Sequence, residues 1–169
     1  TTTAPAAADA ATQAALERLN TVIDRLIAPD GCPWDSTQTP ESLTEYVIEE
    51  CHELVDAIRS GKTADMVEEL GDVAFLILMI GKLMARAGGP SLADALEVEA
   101  AKMVRRHPHV FSDTTYENQS EQLKDWDRIK REEKAAADAE GPKGSYDSLP
   151  RGLPRLPPAY RLHATAARV

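Results

Sequence analysis

The chain has 169 residues, 43% of them hydrophobic, which is enough for one domain with its own core and short for two. Its formal net charge of −9 argues against nucleic acid as a partner, because surfaces that bind nucleic-acid backbone are strongly basic. Two cysteines, no basic and apolar leader, and no run of about 18 apolar residues predict a cytoplasmic protein without a membrane partner.

Helical spacing begins near Asp9 in the N-terminal segment. Apolar residues three and four positions apart then form one stripe: Leu16, Leu19, Val22, Ile23, Leu26 and Ile27. The loop APDGCPWD ends this helix. The next sequence, Thr39-Pro40-Glu41, is typical of a helix N-terminus, so a second helix is expected from there to about Ser60.

A third helix is expected from an N-cap at Thr63 to the glycines before Pro90, and its apolar second half predicts the most buried helix. A fourth follows from Leu92 to about Arg106, ended by Pro108, and a fifth from about Glu117 to Ala139. Because no useful strand pattern occurs, the predicted fold class is all-α, a four- to five-helix bundle.

The predicted organisation has three parts. Residues 1–14 are interpreted as a flexible N-terminal tail, residues 15–139 as the main helical domain, and residues 140–169 as a C-terminal tail or linker rich in proline and glycine.

Four carboxylates are predicted to point inward from the second and third helices. At about 100° per residue, Glu50 falls within the apolar face of the second helix and Glu53 about 60° to one side. Glu69 and Asp72 are expected to repeat this arrangement on the third helix. The residues taken to define these two faces are Leu43, Val47, Leu54 and Ile58, and Met66, Val73, Ile77, Ile80 and Met84.

Two carboxylates about 6 Å apart repel by roughly 2 to 3 kcal/mol at an effective dielectric near 20. Six such pairs would rival the stability of a domain, about 5 to 15 kcal/mol. The alternative is that these acids are ordinary solvated charges, as most glutamates are. We favour a divalent cation, and all-oxygen ligands select Mg²⁺, Mn²⁺ or Ca²⁺. Such a site grips polyphosphate and activates water.

Other side chains are candidates for contacts with such a substrate. Lys102 and Arg106, four positions apart, share one side of the fourth helix and suit phosphate, although a solvated face explains them equally well. Trp34 and Gln38 are candidates for a nucleobase pocket, with a structural loop as the alternative. Cys51 is expected in the core.

These residues resemble the MazG family of nucleoside triphosphate pyrophosphohydrolases. The resemblance covers roughly residues 15 to 169. Its motifs are GCPWDSTQT (31–39), the split signature of Glu49, Glu50 and Glu53 with Glu69 and Asp72, KMVRRHPHVF (102–111) and WDRIKREEK (126–134).

The resemblance implies Mg²⁺-dependent hydrolysis of NTPs or dNTPs to monophosphate and pyrophosphate, with Mn²⁺ as a substitute, in a homodimer that cleans the nucleotide pool. The implied metal ligands are Glu50, Glu53, Glu69 and Asp72. Glu49 is implied as a further ligand or as the residue that positions water. Lys102 and Arg106 are implied to hold phosphates, and Trp126 and Lys130 to lie beside the nucleotide.

Three alternatives remain open. The enzyme could be narrow, acting on dUTP or another single nucleotide. The chain could be a non-catalytic helical dimerisation or regulatory module. A di-iron bundle expects Glu-x-x-His pairs, which His52 does not supply. The segment LPRLPPAYRLHATAARV resembles the start of a second copy of the domain, so the chain is expected to be a single-domain relative or a piece of a two-domain protein.

Overall fold

A computed structural model describes residues 5–137, and this range is helical with no β-strand. The all-α class is therefore confirmed. The helices are α1 (Pro5–Leu26), α2 (Thr44–Ser60), α3 (Thr63–Arg86), α4 (Leu92–Arg106), α5 (Pro108–Phe111) and α6 (Gln119–Ala137), with a 3-10 turn at Asp35–Thr37. None of these described helices is long and apolar enough to cross a bilayer.

The chain divides into two compact units between Ala100 and Ala101. α1 begins at Pro5, ahead of the expected start near Asp9, because proline is tolerated in a first helical turn and the alanines that follow have high helix propensity. The predicted tail at 140–169 lies outside the described residues, and the three-part organisation stays a prediction.

The start of α2 differs from the expectation. The Ser42 N–H donates to Thr39 Oγ1 at 3.3 Å and the Thr39 N–H donates to Ser42 Oγ at 3.0 Å. This reciprocal pair closes a turn, so Thr39 caps the turn and α2 begins only at Thr44. The predicted end is confirmed, since Gly61 has φ 70° and its N–H donates to the Ile58 carbonyl.

α3 is the central helix of the first unit, with α1 and α2 packed against it. The buried hydrophobic cluster consists of Ile23, Ile27, Leu43, Leu76, Leu78, Met79 and Leu83. The predicted face of α3 is wrong at Ile77, whereas Ile80 of the same face packs against the core. Ile77 is 49% exposed whereas Leu76 and Met79 are buried, because α1 and α2 both contact this helix. Ile58 of α2, also predicted to lie inward, is 57% exposed.

In the second unit, Pro108 begins a short helix as well as ending α4, since proline suits a first helical turn. α6 begins at Gln119, two residues later than expected, and the Glu121 N–H donates to Asn118 Oδ1 at 3.0 Å just before it.

Candidate metal centre

The short turn between α2 and α3 brings their acidic side chains together. Glu50, Glu69 and Asp72 each offer a carboxylate oxygen, and these oxygens lie within 4.8 Å of one another. Glu50 and Glu69 are half-buried, whereas Asp72 is exposed. Three of the four predicted ligands therefore converge on one point.

The carboxylates of this cluster lie close together, and their negative charges repel one another. Burial raises the pKa of Glu50, and the neighbouring charges of Asp72 and Glu53 raise it further. Burial also raises the pKa of Glu69, with Glu53 as the first of its charged neighbours. The ionised forms of both acids are thus disfavoured.

Glu53, the fourth predicted ligand, is exposed and outside the group of three convergent oxygens. Its charge nevertheless helps to raise the pKa of both Glu50 and Glu69, so Glu53 lies near each of them. Glu49 is exposed and contributes to the raised pKa of Glu50. Their roles as ligand and water-positioning residue stay predictions.

The donor set fits a hard divalent cation. Glu50, Glu69 and Asp72 supply oxygen ligands, which Mg²⁺, Mn²⁺ and Ca²⁺ prefer over the nitrogen and sulfur ligands typical of Zn²⁺. A bound cation would reverse the repulsion that raises the pKa of Glu50 and Glu69. The cluster is therefore chemically suited to the metal that its sequence pattern predicts.

A cavity of about 190 Å³ opens beside the carboxylates. Its lining combines acidic and aromatic side chains: Trp34, Leu43, Tyr46, Glu50, Asp72, Phe75 and Leu76. Trp34 and Tyr46 meet edge to face, with ring centroids 5.7 Å apart. Trp34 thus lies next to two predicted metal ligands.

Tyr46 and Phe75 are lining residues that the sequence analysis missed. A helical wheel contains the signal, because Tyr46 lies one turn before Glu50 and Phe75 three residues after Asp72. Both aromatic residues therefore lie beside a carboxylate on its own helix. The pattern of charged residues alone does not indicate these aromatic residues.

Gln38 has a different place from the one expected. Its amide Nε2 donates to the Trp34 carbonyl at 3.0 Å, and its Oε1 accepts a hydrogen bond from Ser42 Oγ. It lines a separate pocket with residues of the α3 C-terminus. Both ends of the amide thus stabilise the loop, and a direct contact with the nucleobase stays a prediction.

Cys51 is exposed, so its predicted core position is wrong. The inward face of α2 runs through Leu43, Glu50 and Ala57, and Cys51 lies about 100° round the helix from Glu50.

The remaining predicted residues belong to the second unit. Arg106 Nη2 lies 2.8 Å from Glu133 Oε2, and the hydrogen bond from Arg106 is the main cause that lowers the pKa of Glu133. Trp126 packs edge-on against His107, with centroids 4.7 Å apart. Lys130 Nζ lies 3.7 Å from Asp127 Oδ1. The roles of these residues and of Lys102 toward a substrate stay predictions.

Several known proteins are similar to this chain in sequence. The sequence model of the MazG nucleotide pyrophosphohydrolase domain matches residues 38–111. A nucleoside triphosphate pyrophosphohydrolase of Escherichia coli is 37% identical over 155 residues, which are 91% of this chain. The uncharacterized protein YabN of Bacillus subtilis is 40% identical over 141 residues, or 83% of the chain.

A solved structure is also similar. The crystal structure of a mazG-related protein from Thermotoga maritima matches with a TM-score of 0.59 and 29% identity, covering 68% of this chain and 98% of that one. The chain spans 58% of the length of the Escherichia coli relative and 28% of the Bacillus subtilis relative.

Proposed function

Residues 38–111 of this chain are a MazG nucleotide pyrophosphohydrolase domain, and on that premise we propose that the chain hydrolyses nucleoside triphosphates to monophosphate and pyrophosphate. The observation that carries the proposal is the convergence of Glu50, Glu69 and Asp72 within 4.8 Å, beside a cavity lined by Trp34. An acidic cluster that holds a divalent cation, next to aromatic rings, suits a molecule whose phosphates bind the cation and whose flat base stacks on the rings.

The carboxylates would hold Mg²⁺, with Mn²⁺ as a substitute. When bound, Mg²⁺ neutralises phosphate charge and lowers the pKa of a coordinated water. Glu50, Glu69 and Asp72 would hold the cation from two adjoining helices, and Glu53, whose charge acts on Glu50 and Glu69, would be a further ligand. Glu49, whose charge already acts on Glu50, orients the attacking water.

The aromatic residues of the cavity hold the base. Trp34 is 49% exposed, so its ring is open to a stacking partner while its edge contact with Tyr46 limits its rotation. From the family resemblance, we propose that Lys102 and Arg106 bind phosphate oxygens and that Trp126 and Lys130 lie beside the nucleotide. Arg106 forms an ion pair with Glu133, so a phosphate bound by Arg106 would replace Glu133 as its partner or bind beside it.

We further propose a homodimer in the cytoplasm with a house-cleaning role toward the nucleotide pool. Exposed apolar side chains on α2 and α3 support self-association, because their burial between two copies would remove apolar surface from water. These side chains are Ile48, Val55, Ile58, Val67, Leu70 and Ile77. The spacing of Val67, Leu70 and Ile77 along α3 places them on one side of the helix.

Product analysis tests the enzymatic proposal. The chain is incubated with a panel of NTPs and dNTPs in Mg²⁺, in Mn²⁺ and in EDTA, with Glu50→Gln as the inactive control. We expect monophosphate and pyrophosphate in equal amounts, with metal only. A diphosphate and inorganic phosphate, or turnover that survives EDTA, would overturn it. A single accepted dNTP would identify the narrow enzyme instead.

A further inference from the structure

Arg86 joins the end of α3 to the loop that follows α1. Its Nη1 donates to the Ile27 carbonyl at 3.0 Å, and its Nη2 donates to the carbonyls of Ser36 and Gln38, each at 3.4 Å. The first bond is of ordinary length and the other two are longer and weaker. One guanidinium thus contacts the loop at both of its ends.

The loop between these contacts carries Trp34 into the cavity beside the carboxylates. Packing restricts this loop at two positions. A Cβ on Gly31 would lie 2.4 Å from the carbonyl oxygens of Arg25 and Leu26, and Asp35 is buried with 8% exposure. Trp34 lies between the loop residues that Arg86 contacts.

We propose that Arg86 is a positioning residue for the nucleotide site, an inference that rests on the proposed function. Arg86 holds the 27–38 loop so that Trp34 faces the space next to Glu50 and Asp72 before a nucleotide arrives. The planar guanidinium has five N–H donors in a fixed fork and can contact several carbonyls at once, which a lysine ammonium on its flexible stem does not reproduce.

A purely structural role is the rival explanation. A cation in the last turn of a helix also stabilises the helix dipole, and Arg86 is in the last turn of α3. Arg59 is the matched control, because it occupies the last turn of α2 and contacts exposed Asp56 of its own helix. A dipole effect alone would act similarly at both arginines.

The kinetic test compares Arg86→Ala, Arg86→Lys and Arg59→Ala in steady-state hydrolysis of an NTP with Mg²⁺. We expect Arg86→Ala to raise KM about tenfold and to change kcat far less, because a displaced Trp34 weakens substrate positioning. Arg86→Lys should be intermediate, and Arg59→Ala should match the wild type. Unchanged KM in both Arg86 variants would overturn the inference.

A second readout does not require turnover. In a Trp126→Phe background Trp34 is the remaining tryptophan, so acrylamide quenching of fluorescence reports its exposure. We expect quenching to increase in Arg86→Ala and to stay constant in Arg59→Ala. If Arg86→Ala does not fold, Arg86→Lys decides by the same measurement. Increased quenching, together with a wild-type chain that hydrolyses no NTP, would support the loop contact and refute the proposed function, whereas unchanged quenching in folded variants would refute the positioning role.

Discussion

Glu50 and Glu69 of the first unit have pKa shifts opposite to those of Asp125 and Glu133 in the second unit. In the first unit, burial and neighbouring carboxylates raise the pKa of Glu50 and Glu69. In the second, Asp125 accepts hydrogen bonds from the Tyr116 hydroxyl at 2.7 Å and from Arg128 Nε at 2.8 Å, which lower its pKa. The pKa of Glu133 is likewise lowered, mainly by its hydrogen bond from Arg106.

This contrast separates acids that are paired with cations or a hydroxyl donor from acids whose charged neighbours are other acids. On α6, the partners of Asp125 and Glu133 are cations or a hydroxyl donor, so the ionised carboxylates help to hold the second unit together. On α2 and α3, the neighbours of Glu50 and Glu69 are other acids. Perturbed carboxylates beside a cavity are typical of functional sites.

The largest expected effect comes from removing one acid of the carboxylate cluster. Glu50→Gln should reduce NTP hydrolysis on the order of 10²- to 10³-fold, because the site loses a charge that fixes the metal. The same substitution removes a repelling, partly desolvated charge. The melting temperature in EDTA should therefore rise or stay constant, as measured by circular dichroism.

Glu45→Gln is the matched control for this experiment, since Glu45 is an exposed acid in the first turn of the same helix. It should retain wild-type activity. If Glu50→Gln kept its activity, or if it lowered the melting temperature in EDTA as a structural acid would, the contrast between the two units would fail.

A smaller effect is expected at the two arginines that share Glu133. Arg105 Nε lies 3.1 Å and Arg106 Nη2 2.8 Å from its carboxylate, so both support the same acid. A charged hydrogen bond to phosphate is worth about 1.5 to 3 kcal/mol, so Arg106→Ala should reduce kcat/KM by about tenfold to a hundredfold more than Arg105→Ala. Equal losses in the two variants would assign Arg106 a structural role only.

The smallest effect is a pH dependence of stability. Because the pKa of Glu133 is lowered from its ordinary value of 4.5, its ionised form stabilises the fold at pH values above 4.5. That contribution is lost as the pH falls through the lowered pKa. Glu133→Gln should therefore unfold more easily than the wild type near neutral pH, and urea titrations should show the difference shrink in acid. A difference that grows in acid would contradict the ion pairing.

The inward direction of Glu50 could be predicted from the sequence because local helical geometry decides it. The spacing of Glu50 among Val47 and Leu54 fixes its direction once α2 forms. The face of α3 could not, since α3 is apolar nearly all round and its orientation depends on α1 and α2 packing from two sides. The wheel therefore favoured Ile77 where the fold buries Leu76.

The loop contacts could not be predicted from hydrophobic periodicity either. Thr39 has the composition of a helix N-cap, and only its exchange of hydrogen bonds with Ser42 reveals a separate turn. Gln38 carries two polar groups that suit a nucleobase, yet the structure uses both within the loop. Which hydrogen bonds these side chains form depends on which partners lie nearby once the chain has folded.

The most direct test of the account is thermal unfolding of the wild type and Glu69→Gln, each in EDTA and in Mg²⁺ at matched ionic strength. We predict that Mg²⁺ at about 100 times its Kd stabilises the wild type by about 2.7 kcal/mol and stabilises the variant much less. In EDTA the variant should be at least as stable as the wild type. Equal Mg²⁺ effects on both proteins, or none on the wild type, would contradict the claim that these carboxylates converge to hold a divalent ion.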